Sequence, residues 1–284
     1  MGIKIIGTGK YLPEKVITNE DISQHVDTSH EWILDRTGIE QRRIATTESS
    51  LDMAAAAAEQ ALQGIDKDSI GLVVVATITP DNITPSMAAM VKKELGLERA
   101  IAFDINAACS GFVYGLWIAE SLMNTALSQY SKDGASKRAL VVGTERLTRV
   151  TNWEDRETCI LFGDGAGAVA VSAEAGTPFL PATYADGASG EALTLRGRYG
   201  SSPFRSAGER NSEPAGSYFM EMDGQAVFKF AVRRVPQVIE EVLEKNGIHK
   251  EAISRYILHQ ANRRIVEAVD AWAAALGGGR AAAG

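Results

Sequence analysis

A-I-A-F-D-I-N-A-A-C-S-G-F-V-Y-G-L-W-I-A-E-S-L-M-N, residues Ala100 to Asn124, changes its hydrophobic period in the middle. Ile101 to Ile105 alternates over a strand's length, whereas Phe112, Leu116, Ala119, Met123 and Ala126 recur at helical spacing. The change falls on Ala107-Ala108-Cys109-Ser110-Gly111, so a cysteine stands at a strand-to-helix junction. A thiol there faces the unpaired N–H groups of the first helical turn, and the positive end of the helix dipole favours the thiolate. Small neighbours on both sides would let a carbonyl approach the sulfur and the backbone donors together, an arrangement suited to oxyanion stabilisation. The position alone leaves a second reading open, in which Cys109 is a buried small hydrophobe.

Outward from this stretch the chain alternates strand and helix. Leu51 to Gln63 reads as an alanine-rich helix, Gly71 to Thr79 as a buried strand, Ser86 to Leu95 as an amphipathic helix and Lys137 to Thr144 as a further strand. That order implies right-handed parallel crossovers in an α/β fold. At the start, Lys4 to Ile6 is predicted as a short strand and Gly7 to Pro13 as the loop that leaves it, with the glycines serving backbone geometry. Asn19 to Val26 predicts one helix. Ser29 to Arg36 predicts another, capped by Thr28 or Ser29, with Trp32 and Arg36 on one face. Such a pair suits an adenine ring and a phosphate, or plain surface packing. Gly163, Gly165 and Gly167 are followed by strand-like Ala168 to Val171 and predict a tight turn, not a nucleotide fingerprint. Cys159 is expected in a strand, E-T-C-I-L-F. Leu195 to Ser217, with four arginines, reads as a long surface loop. Gln225 to Asn246 predicts a helix kinked or broken near Pro236, and Ile253 to His259 a strand before a last helix.

Composition sets wide limits. The 284 residues are 45% hydrophobic and 23% charged, the balance of a soluble globular chain with a sizeable core. A net charge of −7 argues against a general nucleic-acid binder. Two cysteines form no disulfide framework, the first residues lack a signal-peptide core, and no apolar run spans a membrane, so the expected compartment is the cytoplasm.

The sequence also repeats itself. Gly64-Ile65-Asp66-Lys67-Asp68-Ser69-Ile70 lies over Gly247-Ile248-His249-Lys250-Glu251-Ala252-Ile253 at a constant offset of 183 residues, and both run from a helix end through a turn into a strand. Read as a duplication, this relates two halves, 1–173 and 174–284, by a pseudo-twofold axis. A site between them would collect Cys109 from one half and His259 from the other. Alone, a histidine after a strand is as readily a structural residue. Beside a thiol, neutral imidazole can accept a proton or donate a hydrogen bond to a carbonyl.

Four motifs taken together, E-W-I-x-x-R-T-G-I (Glu31 to Ile39), N-A-A-C-S-G-F (Asn106 to Phe112), F-G-D-G-A-G-A (Phe162 to Ala168) and H-Q-A-N-x-R-I (His259 to Ile265), resemble 3-oxoacyl-acyl carrier protein synthase III. That is the thiolase-fold condensing enzyme that starts bacterial fatty-acid synthesis. The resemblance implies two duplicated α/β halves with mostly parallel sheets in an α/β/α/β/α layering. It implies an acyltransferase in which Cys109 takes an acyl group from acyl-CoA and His259 assists decarboxylation of malonyl-acyl carrier protein. Trp32 and Arg156 match residues that sandwich the CoA adenine, with Thr28 and Arg36 beside them. Phe228 and Asn262 match residues of the pantetheine channel, and Arg264 the residue that docks the acidic carrier protein. Thr84 and Met87 fall in the segment that closes the acyl pocket across a homodimer interface, where threonine in place of phenylalanine leaves room for primers longer than acetyl. No metal or redox cofactor is implied; coenzyme A and carrier protein are substrates.

After Ile265 the sequence departs from the pattern. The family's asparagine loop and F-G-G-G strand have no counterpart, and Leu276 to Gly284 resembles a shortened copy of that last segment, with Gly278 at an oxyanion position. Losing a core strand pair would expose its neighbours to water, so the expectation is a shortened record of a complete fold. Two other classes remain beside the synthase. One is a Cys-His hydrolase, which would have no use for Trp32 and Arg36, and the other is an inert acyl-binding subunit.

Overall fold

The computed structural model describes residues 2–125, 127, 137–197, 218–275 and 280–281. In chain order its strands and α-helices are β1 (Gly2–Tyr11), β2 (Val16–Thr18), α1 (Asn19–Ser23), α2 (His30–Thr37), β3 (Gln41–Arg43), α3 (Ser50–Ala61), β4 (Ile70–Ala76), α4 (Met87–Glu94), β5 (Ile101–Ile105), α5 (Gly111–Asn124), β6 (Arg138–Arg146), β7 (Asp164–Glu174), β8 (Leu193–Thr194), β9 (Glu221–Met222), α6 (Gly224–Lys245), β10 (Arg255–Tyr256), α7 (Arg263–Ala275) and β11 (Arg280–Ala281). Most of the predicted 195–217 loop, and Gly278, lie outside the described residues.

A five-stranded sheet, β1-β7-β6-β4-β5, organises the first half. β4 pairs in parallel with both β5 and β6, and only β7 runs against the rest, so the sheet is mostly parallel. Every residue of β4 is buried, as a strand covered on both faces requires. Val73 and Val75 pack toward α3 and α4, while Leu72 and Val74 join α5 on the other face.

β1 is longer than its sequence predicts, running through Gly7 and Gly9 to Tyr11 in register with β7. The glycines serve close approach and not a turn. A methyl group on Gly7 would stand 2.0 Å from the Ala61 carbonyl oxygen, and one on Gly9 2.0 Å from that of Ala57. Helix α3 therefore rests directly on bare backbone. Gly165 and Gly167 likewise lie inside β7, opposite Glu145 and Gly143, where a tight turn was predicted. Cys159 is not in a strand but in the turns before β7.

The two repeated stretches adopt one local structure. Gly64 and Gly247 are both left-handed, with φ of 73° and 61°, and each is followed by a single 3₁₀ turn, Lys67–Ser69 and Lys250–Ala252. The hydrogen bond from Ser69 N–H to Asp66 recurs from Ala252 N–H to His249 at the same offset. Beyond that point the halves differ. β4 has seven residues, whereas β10 has two and pairs in parallel with β11. No residue of α6 is buried, although the helix continues unbroken through Pro236, and Ile257 is 86% exposed.

The contact between α3 and β1 yields a stability prediction. Gly9→Ala forces a methyl into backbone and is expected to cost about 3 kcal/mol in chemical denaturation, at the upper end of ordinary overpacking. Gly143→Ala, whose methyl meets no atom within 4 Å among the described residues, is the control and should change stability by less than about 0.5 kcal/mol.

Candidate active site

Cys109 sits in a 3₁₀ turn, Ala108–Ser110, that joins the carboxyl end of β5 to the first turn of α5. Ala108 holds φ at 42°, a left-handed conformation that costs a non-glycine residue about 1–3 kcal/mol. The turn is fixed from three sides. Asn106 Oδ1 accepts from the Ala108 N–H at 3.4 Å, and Thr77 N–H, just past β4, donates to Ile105 O at 3.3 Å. A Cβ on Gly111 would stand 2.8 Å from Ala76 Cβ, and one on Gly115 2.8 Å from Val141 Cγ1. The face of α5 that meets the sheet is thus Gly111, Gly115, Ala119 and Met123, and Phe112, predicted inward, is exposed.

Protein packed around the sulfur pushes the Cys109 thiol up from its ordinary value; a hydrogen bond from its own backbone works against this, and the Glu145 charge adds to it. The helix N-terminus was expected to favour thiolate. Desolvation by the surrounding protein runs the other way, although the side chain keeps solvent-exposed surface. Burial likewise lowers His259, leaving its imidazole neutral at pH 7. His259 lies in the irregular segment between β10 and α7, and no hydrogen bond joins it to Cys109 among the described residues.

Glu145, at the end of β6, is a residue that sequence reading missed. Its carboxylate accepts from Ile78 N–H at 2.8 Å, Thr79 Oγ1 at 2.5 Å and Thr77 Oγ1 at 3.4 Å, and burial raises its pKa. Asp164 of the F-G-D-G motif was missed too. It is 5% exposed and accepts from Ala45 N–H, Thr148 N–H and Thr148 Oγ1, pinning two loops to the start of β7.

A second cluster forms on α2. Ser29 caps the helix, accepting from Trp32 N–H at 3.2 Å, which leaves Thr28 without that task. Thr28 Oγ1 is buried and, among the described residues, has no hydrogen-bond partner, so it is free to meet a polar ligand atom. The Arg36 guanidinium lies 4.6 Å from the Trp32 ring centroid and that of Arg156 lies 4.8 Å from it; Arg156 also donates to Asp27 O at 3.2 Å. Helix α7 packs against α2: Arg264 pairs with Asp35 at 3.8 Å, both exposed, and Gly38 abuts the Arg263 side chain. The helix that carries the predicted Trp32 and Arg36 therefore meets the helix that carries the predicted Arg264.

The remaining predicted site residues fall as follows. Phe228 is exposed on α6, and Asn262 uses its side-chain oxygen to accept from Arg264 N–H at 2.9 Å at the start of α7. Thr84 is exposed, whereas Met87 is fully buried in the core between α3, α4 and the sheet. Asp104 of β5 accepts from Met87 and Ala88 N–H, each at 2.7 Å, tying this segment to the strand that delivers Cys109.

A mostly parallel sheet with a cysteine on a strained turn at the carboxyl ends of its strands fits the thiolase fold. Residues 103–188 match the model of the 3-oxoacyl-[acyl-carrier-protein] synthase III family. The chain is 45% identical to the beta-ketoacyl-[acyl-carrier-protein] synthase III of Streptococcus equi over 267 residues, 93% of this chain and 78% of that one. It is 43% identical to the Aquifex aeolicus protein of the same name over 95% of this chain and 80% of that one. The crystal structure of the Aquifex aeolicus 3-oxoacyl-[acyl-carrier-protein] synthase III superposes with a TM-score of 0.83 at 41% identity, covering 96% of this chain and 81% of that one. The chain belongs to the beta-ketoacyl-[acyl-carrier-protein] synthase III family.

The two cysteines should separate by reactivity. Cys159, 1% exposed among Ile22, Ile33 and Ile160, is expected to resist iodoacetamide in the native protein, while exposed Cys109 is labelled. Peptide mass mapping before and after denaturation checks this; native labelling at Cys159 would contradict it.

Proposed function

We propose that this chain runs a two-stage Claisen condensation that initiates fatty-acid synthesis, with Cys109 as nucleophile. The observation that carries the reading is the placement of Cys109 on its strained turn between the carboxyl end of β5 and α5. In the first stage the Cys109 sulfur attacks the acyl-CoA carbonyl, the thioester bond to CoA breaks, and the thiol proton leaves with CoA. In the second, malonyl-acyl carrier protein loses carbon dioxide, and the electron pair of the broken C–C bond forms an enolate. The enolate carbon attacks the acyl carbonyl and expels Cys109 thiolate.

His259 supports the second stage as a neutral donor to the malonyl thioester oxygen, an oxyanion-type contribution of about 2.7–4 kcal/mol. Trp32 and Arg156 take the CoA adenine between them. At 4.8 Å they are in contact, and a base stacked on both needs about 7 Å, two van der Waals spacings, so Arg156 swings away on loading. Thr28 and Arg36 flank the nucleotide, and Phe228 and Asn262 line the pantetheine arm. Arg264, whose exposed pairing with Asp35 is worth little, docks the acidic carrier protein.

The halves are 1–173 and 174–284, and the working form is a cytoplasmic homodimer. β5 lies at the edge of the sheet with Ile101 exposed and Ile83 82% exposed nearby, an apolar edge of the kind that pairs with a second copy. Thr84 then faces the partner's acyl pocket.

Incubation with acyl-CoA and intact mass measurement tests the chemistry. The expected result is one stable acyl group per chain, lost in Cys109→Ala and kept in Cys159→Ala, with primers longer than acetyl accepted and Thr84→Phe restricting them. Steady hydrolysis would favour a hydrolase, absence of any adduct an inert subunit, and a sharp fall after two carbons in the unmutated protein would sink the Thr84 role. Arg264→Glu should slow condensation with malonyl-acyl carrier protein far more than acylation; equal effects on both steps would remove Arg264 from docking.

A further inference from the structure

The faces of the Trp32 cluster come from distant parts of the chain, Trp32 and Arg36 from α2 and Arg156 from the turns before β7, and one buried side chain ties them together. Arg42 of β3 is 4% exposed. Its Nε and Nη2 donate to Ile160 O, the first at 3.0 Å, and its Nη1 donates to Asn19 Oδ1 at 2.5 Å. Each acceptor leads to one face of the cluster. Ile160 follows the turn that carries Arg156, where Thr158 N–H and Cys159 N–H both donate back to Asp155 O. Asn19, 0% exposed, touches both ends of α2: its Nδ2 donates to Ile39 O, just past the helix, at 2.8 Å and lies 3.5 Å from Nδ1 of His30, the first helical residue. Between the two, Ile33 of α2 packs with Cys159 and Ile160, and Trp32 and Trp153 lie against the same apolar cluster. Gly163 lets the segment after Ile160 press on β3, since a methyl there would stand 2.9 Å from Arg43 O.

We propose that Arg42 is a positioning residue for the adenine clamp: it fixes the backbone that carries Arg156 against the helix that carries Trp32, and so sets the gap that a nucleobase enters. The inference rests on the reading of Trp32 and Arg156 as that clamp. Stability alone does not call for a guanidinium here. Among the described residues its hydrogen-bond partners are all neutral and no carboxylate pairs with it. Burial pulls it down to about 10, so it stays charged at neutral pH, at a desolvation cost that an apolar side chain of similar length would avoid. What such a side chain lacks is the planar fork, which reaches a carbonyl oxygen and an amide oxygen in one fixed geometry. That rigidity has a use. Loading a base makes the Arg156 side chain leave the Trp32 ring and its bond to Asp27 O. A side chain that moves between two positions keeps its aim only if the backbone beneath it stays still.

The test sets acetyl-CoA against S-acetyl-pantetheine, which carries the same thioester without the nucleotide. Acylation at sub-saturating donor is read by intact mass, CoA affinity by calorimetry and folding by the thermal midpoint. Arg42→Met keeps the length and bulk of the side chain but cuts both ties. It should bind CoA about tenfold more weakly, on the scale of one cation–π contact. The ratio of its two acylation rates, which measures what the nucleotide contributes, should shrink by about the same factor. Arg42→Lys keeps the charge and can hold only one acceptor, so its affinity and its ratio should fall between those of Arg42→Met and the unmutated protein. If Arg42→Met does not fold, Arg42→Lys carries the test. Arg42→Met added to Arg156→Ala should weaken CoA no further than Arg156→Ala alone, as expected where one residue acts through the other. Unchanged CoA affinity in a folded Arg42 variant, or equal losses with the two donors, would overturn the proposal; the second result would mark a merely structural role. Arg156→Ala that binds CoA as well as the unmutated protein does would overturn the clamp reading instead. An adduct on a residue other than Cys109 would overturn the condensation reading and leave the calorimetry readable.

Discussion

The site hangs on the absence of two side chains. Gly111 and Gly115 let α5 lie against Ala76 and Val141 at a separation that an added Cβ would violate. Because the first of these glycines is two residues from Cys109, the contact that seats the helix also seats that cysteine. The geometry demands a sharp entry into the helix, which Ala108 supplies at φ 42° with the 3₁₀ turn behind it. Strain of this kind persists only where the surroundings over-determine it. Here they do so through buried β4 on one side and the Asn106 and Thr77 hydrogen bonds on the other.

How much of this was legible follows from which interactions leave a periodic trace. β4, α3 and α4 announce themselves because each buries an apolar stripe, and the structure places them within a few residues of their predicted bounds. The strand-to-helix change around Cys109 is legible for the same reason. Glycine is where reading by pattern fails. Gly7, Gly9, Gly165 and Gly167 punctuate a sequence as turns do, yet in the structure they sit within strands, and α3 passes over the first two. A missing side chain looks the same whether it frees φ or admits a neighbour, and only the neighbour, tens of residues away, decides. Glu145 and Asp164 were hidden for a related reason: each is a single acidic residue at a strand end whose partners are backbone N–H groups and hydroxyls from elsewhere in the chain.

The repeat shows how far a local code reaches. At the helix end the two copies differ, Ile65 N–H donating to Leu62 O and Ile248 N–H to Leu243 O, while over the left-handed glycine and the 3₁₀ turn they agree in backbone hydrogen bonding. These features depend on a few consecutive residues. Strand length depends on partners, and there the copies part. β4 is flanked by two strands and buried along its whole length, while β10 has β11 beside it for two residues, and the chain leaving it is open to solvent at Ile257. An apolar strand without neighbours gains little by being extended, since its backbone groups are satisfied by water as well as by a ladder.

The protonation states of the two proposed reacting groups favour one kind of chemistry. A cysteine hydrolase works from a thiolate and imidazolium ion pair, which lowers the thiol and raises the imidazole. In this chain the protein packed around each group moves both the other way, with the thiol up and the imidazole down, although both side chains keep solvent-exposed surface. A neutral imidazole retains an N–H to donate to a thioester oxygen, which decarboxylation uses, and needs no proton returned before the next step. A thiol that ionises reluctantly is matched to an activated thioester, whose CoA leaving group accepts the proton, and poorly matched to an amide. The direction of both shifts thus runs against the thiolate and imidazolium ion pair that a hydrolase would require.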